Sequence, residues 1–327
     1  MKKYLAVDSG GTKVLAVLYD EEFRPIKIIR IGSCRGNTTS DELIEKNLKE
    51  FREKLGLEEG MEIELVTGVA EQPFLEALQK YCKVRKTVFF GELQAGLYAA
   101  ELFDGGLLAL SGTGSQLSAV YQGDVYIGGA YGASISDLGS GYWMGRNAME
   151  AAIADYEGYG ERTLLTDLLA RKYGGTRETF RESVFKIYER TEQSPVAHVA
   201  SCAVEVSEAA RQGDSCAERI LKETGEVLGK QLTALINKWQ MPDELPVTIS
   251  GSVWKSEKVL FDTFTDSIRK QSPNRPVIMP RFEPIVGFIL KHYRDVKGSY
   301  TEEDRKKFEE LYPQFCFKWD GLEDEKR

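Results

Sequence analysis

Asp8 heads a glycine turn in Leu5-Ala6-Val7-Asp8-Ser9-Gly10-Gly11-Thr12-Lys13-Val14, and a second turn of the same kind, Ser111-Gly112-Thr113-Gly114-Ser115, lies within residues 110–119. These residue types suit polyphosphate chemistry. Successive exposed N–H groups in such a turn form an anion-binding nest. Glycine allows positive φ and lets a ligand approach bare backbone. A carboxylate at a strand end can hold a metal ion or one of its waters. Thr12, Thr113 and Ser115 add hydroxyl donors. Either turn alone reads as a plain hairpin tip. The pair suggests two jaws closing on one polyphosphate. Neither turn is a Walker P-loop, because the Gly-Lys-Ser/Thr ending that opens a helix is missing. No Gly-x-Gly-x-x-Gly opens a helix after a strand, so a Rossmann dinucleotide site is not expected.

The flanking sequence predicts the elements that hold these turns. Apolar β-type runs stand on both sides of each, Leu5–Val7 with Val14–Leu18 and Leu107–Leu110 with Leu117–Val120, which makes each block a hairpin. Strands are expected at 3–8, 13–20, 25–31, 62–67 and 86–90, and helices at 41–55, 73–81 and 93–101, with Thr39-Ser40-Asp41-Glu42 as a capping box. This order means an antiparallel meander continued by parallel crossover units, hence a mixed sheet covered by helices. Asp104-Gly105-Gly106 breaks the chain, Asp104 being a turn residue, and a new three-strand run begins at 107–128. A helical tract over 141–240 follows, then a strand at 246–250, a helix at 256–270, a strand at 276–279 and a helix at 285–293. The charged tail, Glu302 to Glu310, reads as a last surface helix. A β-β-β-α-β-α order thus begins twice, each time at a glycine hairpin. The division is 1–105, joined by a helix from about 285 on, and 106–284 with a helical insertion at 141–240.

Composition narrows the function classes. A chain of 327 residues has mass for two cores. A formal charge of −8 argues against nucleic-acid and acidic-membrane partners. No apolar run is long enough to span a bilayer, and the start reaches a charge too early for a signal peptide, so a cytoplasmic protein is expected. Cys34, Cys82, Cys202, Cys216 and Cys316 are scattered without a Cys-x-x-Cys pair, which suits reduced thiols. His198 and His292 stand apart in helical contexts and read as packed or solvated residues.

At these residues the chain resembles a known superfamily. The two turns, the duplicated element order and Ser250-Gly251-Ser252-Val253-Trp254-Lys255-Ser256 are similar to the phosphate-1, phosphate-2 and adenosine motifs of the sugar kinase/Hsp70/actin proteins. Gly128-Gly129 followed by Ser136-Asp137-Leu138-Gly139-Ser140-Gly141-Tyr142-Trp143 looks like a signature of the N-acetylglucosamine kinases and the related BadF/BadG/BcrA/BcrD ATPases. The resemblance covers roughly residues 3–290. It implies an α/β fold of two ribonuclease H-like domains with an interdomain cleft. It also implies ATP and Mg²⁺ as cofactors, a free amino sugar as substrate, and a homodimer.

The roles carried over are these. Asp8 organises Mg²⁺, through water. Gly10, Gly11, Thr12 and Lys13, with Gly112, Thr113, Gly114 and Ser115, face the phosphates. Gly251, Ser252 and Lys255 approach the adenosine. Asn37, which alone would read as a loop turn residue, bonds sugar hydroxyls, with Gly128, Gly129 and Asp137 completing that site. Trp143 reads as a core anchor.

One departure stands out. Such kinases carry an Asp, usually in Asn-Asp-Ala, that takes the proton of the attacking hydroxyl; here the stretch is Phe90-Gly91-Glu92-Leu93-Gln94-Ala95. Glu92 reaches one methylene further, and a misplacement of about 1 Å can cost on the order of a hundredfold. Glu92 is the expected base, with Asp137 the alternative. Glu92 also suits an ordinary role beside a helix dipole. The leading function is ATP- and Mg²⁺-dependent phosphorylation of N-acetylglucosamine, glucosamine or N-acetylmuramic acid. Its alternative is an ATPase or sugar-binding protein of the same fold with weak or no kinase activity. An ATPase energising a redox partner through a shared cluster would need grouped cysteines, which Cys34, Cys82 and Cys202 do not provide.

Overall fold

In the computed structural model, residues 2–36, 39–69, 72–133, 135–189 and 194–318 are described. The chain divides into two compact units, Met1–Asp104 with Met279–Phe317, and Gly105–Ile278 with the tail from Lys318.

The first unit is built on a five-stranded sheet. Strands β1 (Lys3–Ser9), β2 (Lys13–Tyr19), β3 (Pro25–Gly32), β4 (Glu62–Thr67) and β5 (Lys83–Phe89) lie in the order β3-β2-β1-β4-β5. The β1–β2 and β2–β3 pairs are antiparallel, whereas β1–β4 and β4–β5 are parallel. Strict alternation along β1 and β2 divides the apolar side chains between two cores. Leu5, Val7, Val14, Ala16 and Leu18 face helices α1 (Asp41–Leu55) and α2 (Gln72–Tyr81), burying Ile44, Leu48, Phe51 and Phe74. Tyr4, Ala6, Leu15, Val17 and Tyr19 face the other way, onto a cluster that includes residues of α3 (Glu92–Ala99), α11 (Pro284–Lys297) and α12 (Glu302–Leu311). Ser40 precedes α1 in extended conformation, yet its side chain makes no capping bond, so the expected capping box is not formed. A capping box does form at Thr301 and Asp304, opening α12.

The second unit carries a four-stranded sheet. Strands β6 (Gly106–Ser111), β7 (Ser115–Tyr121), β8 (Asp124–Gly129) and β9 (Val247–Ser250) run in the order β8-β7-β6-β9, with β6 and β9 parallel. The helical tract resolves into α4 (Gly141–Glu157), α5 (Leu165–Lys172), α6 (Phe180–Phe185), α7 (Pro195–Ser201), α8 (Ala203–Arg211) and α9 (Ser215–Trp239), followed after β9 by α10 (Lys258–Arg269). The strand expected at 276–279 is reduced to a single bridge from Val277 to Val247. Pro276 and Pro280 flank it, and a proline has no N–H for a ladder. The anchoring tryptophan is Trp254, fully buried against Phe264 and donating its indole N–H to Ala109 O at 2.9 Å. Trp143, in the first turn of α4, is half-buried, less enclosed than Trp254.

Candidate active site

Asp8 lies near the carboxyl end of β1, opposite Leu15 of β2, with Gly10–Thr12 as the hairpin tip. Gly10 donates its N–H to Lys13 O at 2.8 Å and so closes the turn. The next loop braces the tip: Ser33 Oγ donates to Gly10 O at 3.1 Å, and buried Asn47 donates to Ser33 O at 2.8 Å. On the other side Thr67, buried at the end of β4, donates its hydroxyl to Val7 O at 2.9 Å. Glu92 opens α3 just beyond β5. Asp8 and Glu92 therefore sit at the carboxyl-end edge shared by parallel β1, β4 and β5.

This edge is acidic. Desolvation pushes the Asp8 carboxyl up to about 7; Glu92 and Glu283 add to the rise, and Lys13 and Arg35 oppose it. A bound cation would favour the ionised form that these surroundings resist. Among the described residues no group of three His, Cys, Asp or Glu side chains could cage a metal ion. The donor set fits Mg²⁺ held through water, since that ion keeps several of its waters. Arg35 Nη2 donates to Glu92 Oε1. Sequence reading missed Arg35 and Glu283. Arg35 lay beside the quoted Asn37 but carries no motif of its own, and Glu283 is distant in sequence. Asn37 lies outside the described residues.

The second tip is assembled from three segments. Gly112 donates its N–H to Gly114 O at 2.9 Å, and the amino end of α4 grips the turn: Gly141 N donates to Gly112 O at 2.7 Å, Tyr142 N to Thr113 O at 3.2 Å. Ser140 caps the same helix through Trp143 N at 3.1 Å. Ser111 Oγ and Ser115 Oγ donate to Gly139 O and Leu138 O, at 2.7 and 2.9 Å. Asp137 is buried and accepts from Gly132 N at 3.0 Å and from the Ser115 backbone N–H. Desolvation raises its carboxyl above the ordinary range, and those two hydrogen bonds pull it back.

Two glycines here are required by space. A Cβ at Gly114 would stand 2.4 Å from Asp137 Oδ2; one at Gly251, whose φ is +106°, would stand 2.1 Å from Ser111 O. Gly10, Gly112 and Gly114 do not use the positive φ that glycine allows. The N–H groups of Gly10 and Gly112 are spent on closing the turns, so any nest is smaller than the sequence suggests. Gly251 thus lies against the second tip, and Ser252 to Lys255 form the short 3-10 turn that follows it. Gly128 and Gly129 end β8, where Gly129 takes a left-handed φ of +75° beside Leu117.

A five-stranded β3-β2-β1-β4-β5 sheet and a four-stranded partner, each entered at a glycine hairpin, define an α/β protein of the sugar kinase/Hsp70/actin fold. A solved Chromobacterium violaceum protein assigned as an N-acetylglucosamine kinase shares this fold, with a TM-score of 0.63 and 19% identity, over 89% of this chain and 99% of its own. A ROK family glucokinase from Streptomyces griseus, solved with glucose and AMPPNP, follows with a TM-score of 0.55 and 17% identity, over 88% and 97%. The chain belongs to the BadF/BadG/BcrA/BcrD ATPase family, whose model matches residues 5–290. It is 24% identical to the N-acetylmuramic acid/N-acetylglucosamine kinase of Clostridium acetobutylicum over 304 residues, 89% of this chain and 98% of that one.

Proposed function

We propose that the protein is a kinase that uses ATP and Mg²⁺ to phosphorylate a hydroxyl of a free amino sugar, N-acetylglucosamine or N-acetylmuramic acid. The observation that carries the reading is the pairing of Asp8 with Glu92 at one sheet edge, in a chain that matches an amino-sugar kinase nearly end to end. Asp8 would hold Mg²⁺ through its waters, and the ion supplies neutralisation of phosphate charge. Phosphoryl transfer needs such positioning and charge balance more than covalent chemistry. Gly10, Gly11, Thr12 and Lys13 contact nucleotide phosphates, as do Gly112, Thr113, Gly114 and Ser115. Gly251, Ser252 and Lys255 serve the adenosine. Asn37, Gly128 and Gly129 serve the sugar. Glu92 is the base, and Asp137 the alternative one. A dimer is part of the same reading.

A sugar panel with ADP release and product mass as readouts tests it. A phosphorylated amino sugar is expected. ATP hydrolysis without any sugar phosphate overturns it. Glu92, standing where the similar kinases carry an Asp, favours a second reading, a sugar-binding ATPase of weak turnover, which predicts tight sugar binding and little ADP release.

A further inference from the structure

We propose that Arg35 is a positioning residue for Glu92: it holds the longer carboxylate where the acceptor hydroxyl must meet it, and ties that carboxylate to the first glycine turn. This rests on the kinase reading above. Arg35 follows β3 and Glu92 begins α3; their side chains, 30% and 36% exposed, meet through Nη2 and Oε1. The backbone behind the guanidinium is fixed. Arg35 N donates to Ser33 Oγ at 3.1 Å, Ser33 Oγ donates onward to Gly10 O at 3.1 Å, and buried Asn47 holds Ser33 O. Two hydrogen bonds fix the Arg35 backbone to the first glycine tip, and the Arg35 side chain carries that link on to the carboxylate.

The physical need is clear. A Glu has one more rotatable bond than an Asp, and an exposed Glu loses its alignment to rotamer freedom. An error of about 1 Å at the reacting atoms can cost on the order of a hundredfold. A planar guanidinium fixes direction as well as distance, which an ammonium does not. With Oε1 held, Oε2 is the atom offered to the substrate. In the step, the acceptor hydroxyl gives its proton to Oε2 while its oxygen bonds to the γ-phosphorus. The bond from that phosphorus to the β,γ-bridging oxygen breaks with its electron pair leaving on ADP, and the proton then passes to solvent.

The test is a kinetic cycle on the full chain with the best sugar of the panel: Arg35→Met, Arg35→Lys, Glu92→Gln and Arg35→Met with Glu92→Gln. Arg35→Met should lower kcat by about 10- to 100-fold, with the KM for ATP changing less than about twofold. Arg35→Lys should recover part of the loss. On the Glu92→Gln background, Arg35→Met should add less than about twofold, because groups acting as a unit are not additive. Effects that multiply, or a rise in sugar KM alone, overturn the role of Arg35 while the kinase reading stands. A wild type that phosphorylates no sugar overturns the kinase reading, and the role falls with it. Arg35→Lys carries the same cycle if Arg35→Met does not fold.

Discussion

Asp8, half-buried at the end of β1, is held against desolvation and two further acids, Glu92 and Glu283. Such a position is costly to keep unless a cation shares it. Asp8→Asn preserves shape and removes the charge that would hold Mg²⁺. Its Mg²⁺-dependent turnover should fall by about a hundredfold or more, while circular dichroism and melting remain those of a folded protein. Full turnover by folded Asp8→Asn would remove the metal role. Asp137 allows an equally sharp test. Two backbone N–H groups, of Gly132 and Ser115, share its carboxylate. Asp137→Asn keeps the size but turns one acceptor toward those donors into an NH₂, and an unsatisfied buried group costs about 1–3 kcal/mol. If Asp137 braces the second tip, the KM for ATP rises and the melting temperature drops. A fall in kcat alone, with both KM values kept, would mark it as the base instead.

Among the elements, α11 carries a pH dependence that the first unit must obey. His292 packs on Tyr4, Tyr19 and Phe23, and the Tyr19 hydroxyl bonds its Nδ1 at 2.9 Å. Desolvation lowers its pKa; Glu64 and Asp295 oppose this, and Lys86 and Lys291 reinforce it. The folded protein therefore favours neutral imidazole. Above the unfolded value of about 6.5 this stability is fully present, and it is lost as pH falls through the folded value. Calorimetric melts of the wild type should drop as the pH is lowered from 7.5 through the unfolded value of about 6.5 and below it. His292→Gln, which keeps an acceptor for Tyr19, should melt lower at pH 7.5 yet change less with acid. Equal slopes for both proteins would refute the assignment.

The whole first unit depends on chain from both ends of the sequence. Ile285, Val286, Phe288, Ile289 and Leu290 of α11 are fully buried against the β1–β2 face. Each such side chain stabilises by about 1.5–3 kcal/mol, against a net stability of about 5–15 kcal/mol for a domain. Removing residues 279–327 should therefore leave Tyr4, Ala6, Leu15 and Val17 uncovered and give insoluble or unfolded protein. Expression and circular dichroism of that truncation decide it. A soluble, cooperatively melting product would show that the closing helices are dispensable.

Local patterns made β1 to β8 legible, because alternation and glycine turns are written into adjacent residues: β1, β2 and β3 fall within a residue or two of their expected ends. Asp8, Gly114 and Gly251 were legible as motif residues for the same reason. Where the reading failed, the deciding contact was remote. Pro276 and Pro280 left one bridge where a strand was expected, and Trp254 is buried with its indole N–H on the carbonyl of Ala109, 145 positions away. Of the tip glycines, Gly114 is explained by its neighbour Asp137 and not by its own φ. Arg35 joins Glu92 across 57 positions, and Glu283 reaches Asp8 from the far end of the chain. Sequence by itself determined which turns and carboxylates exist. Only the tertiary structure decided which charges share one sheet edge, because Coulomb and desolvation energies depend on distance in space and not on separation along the chain.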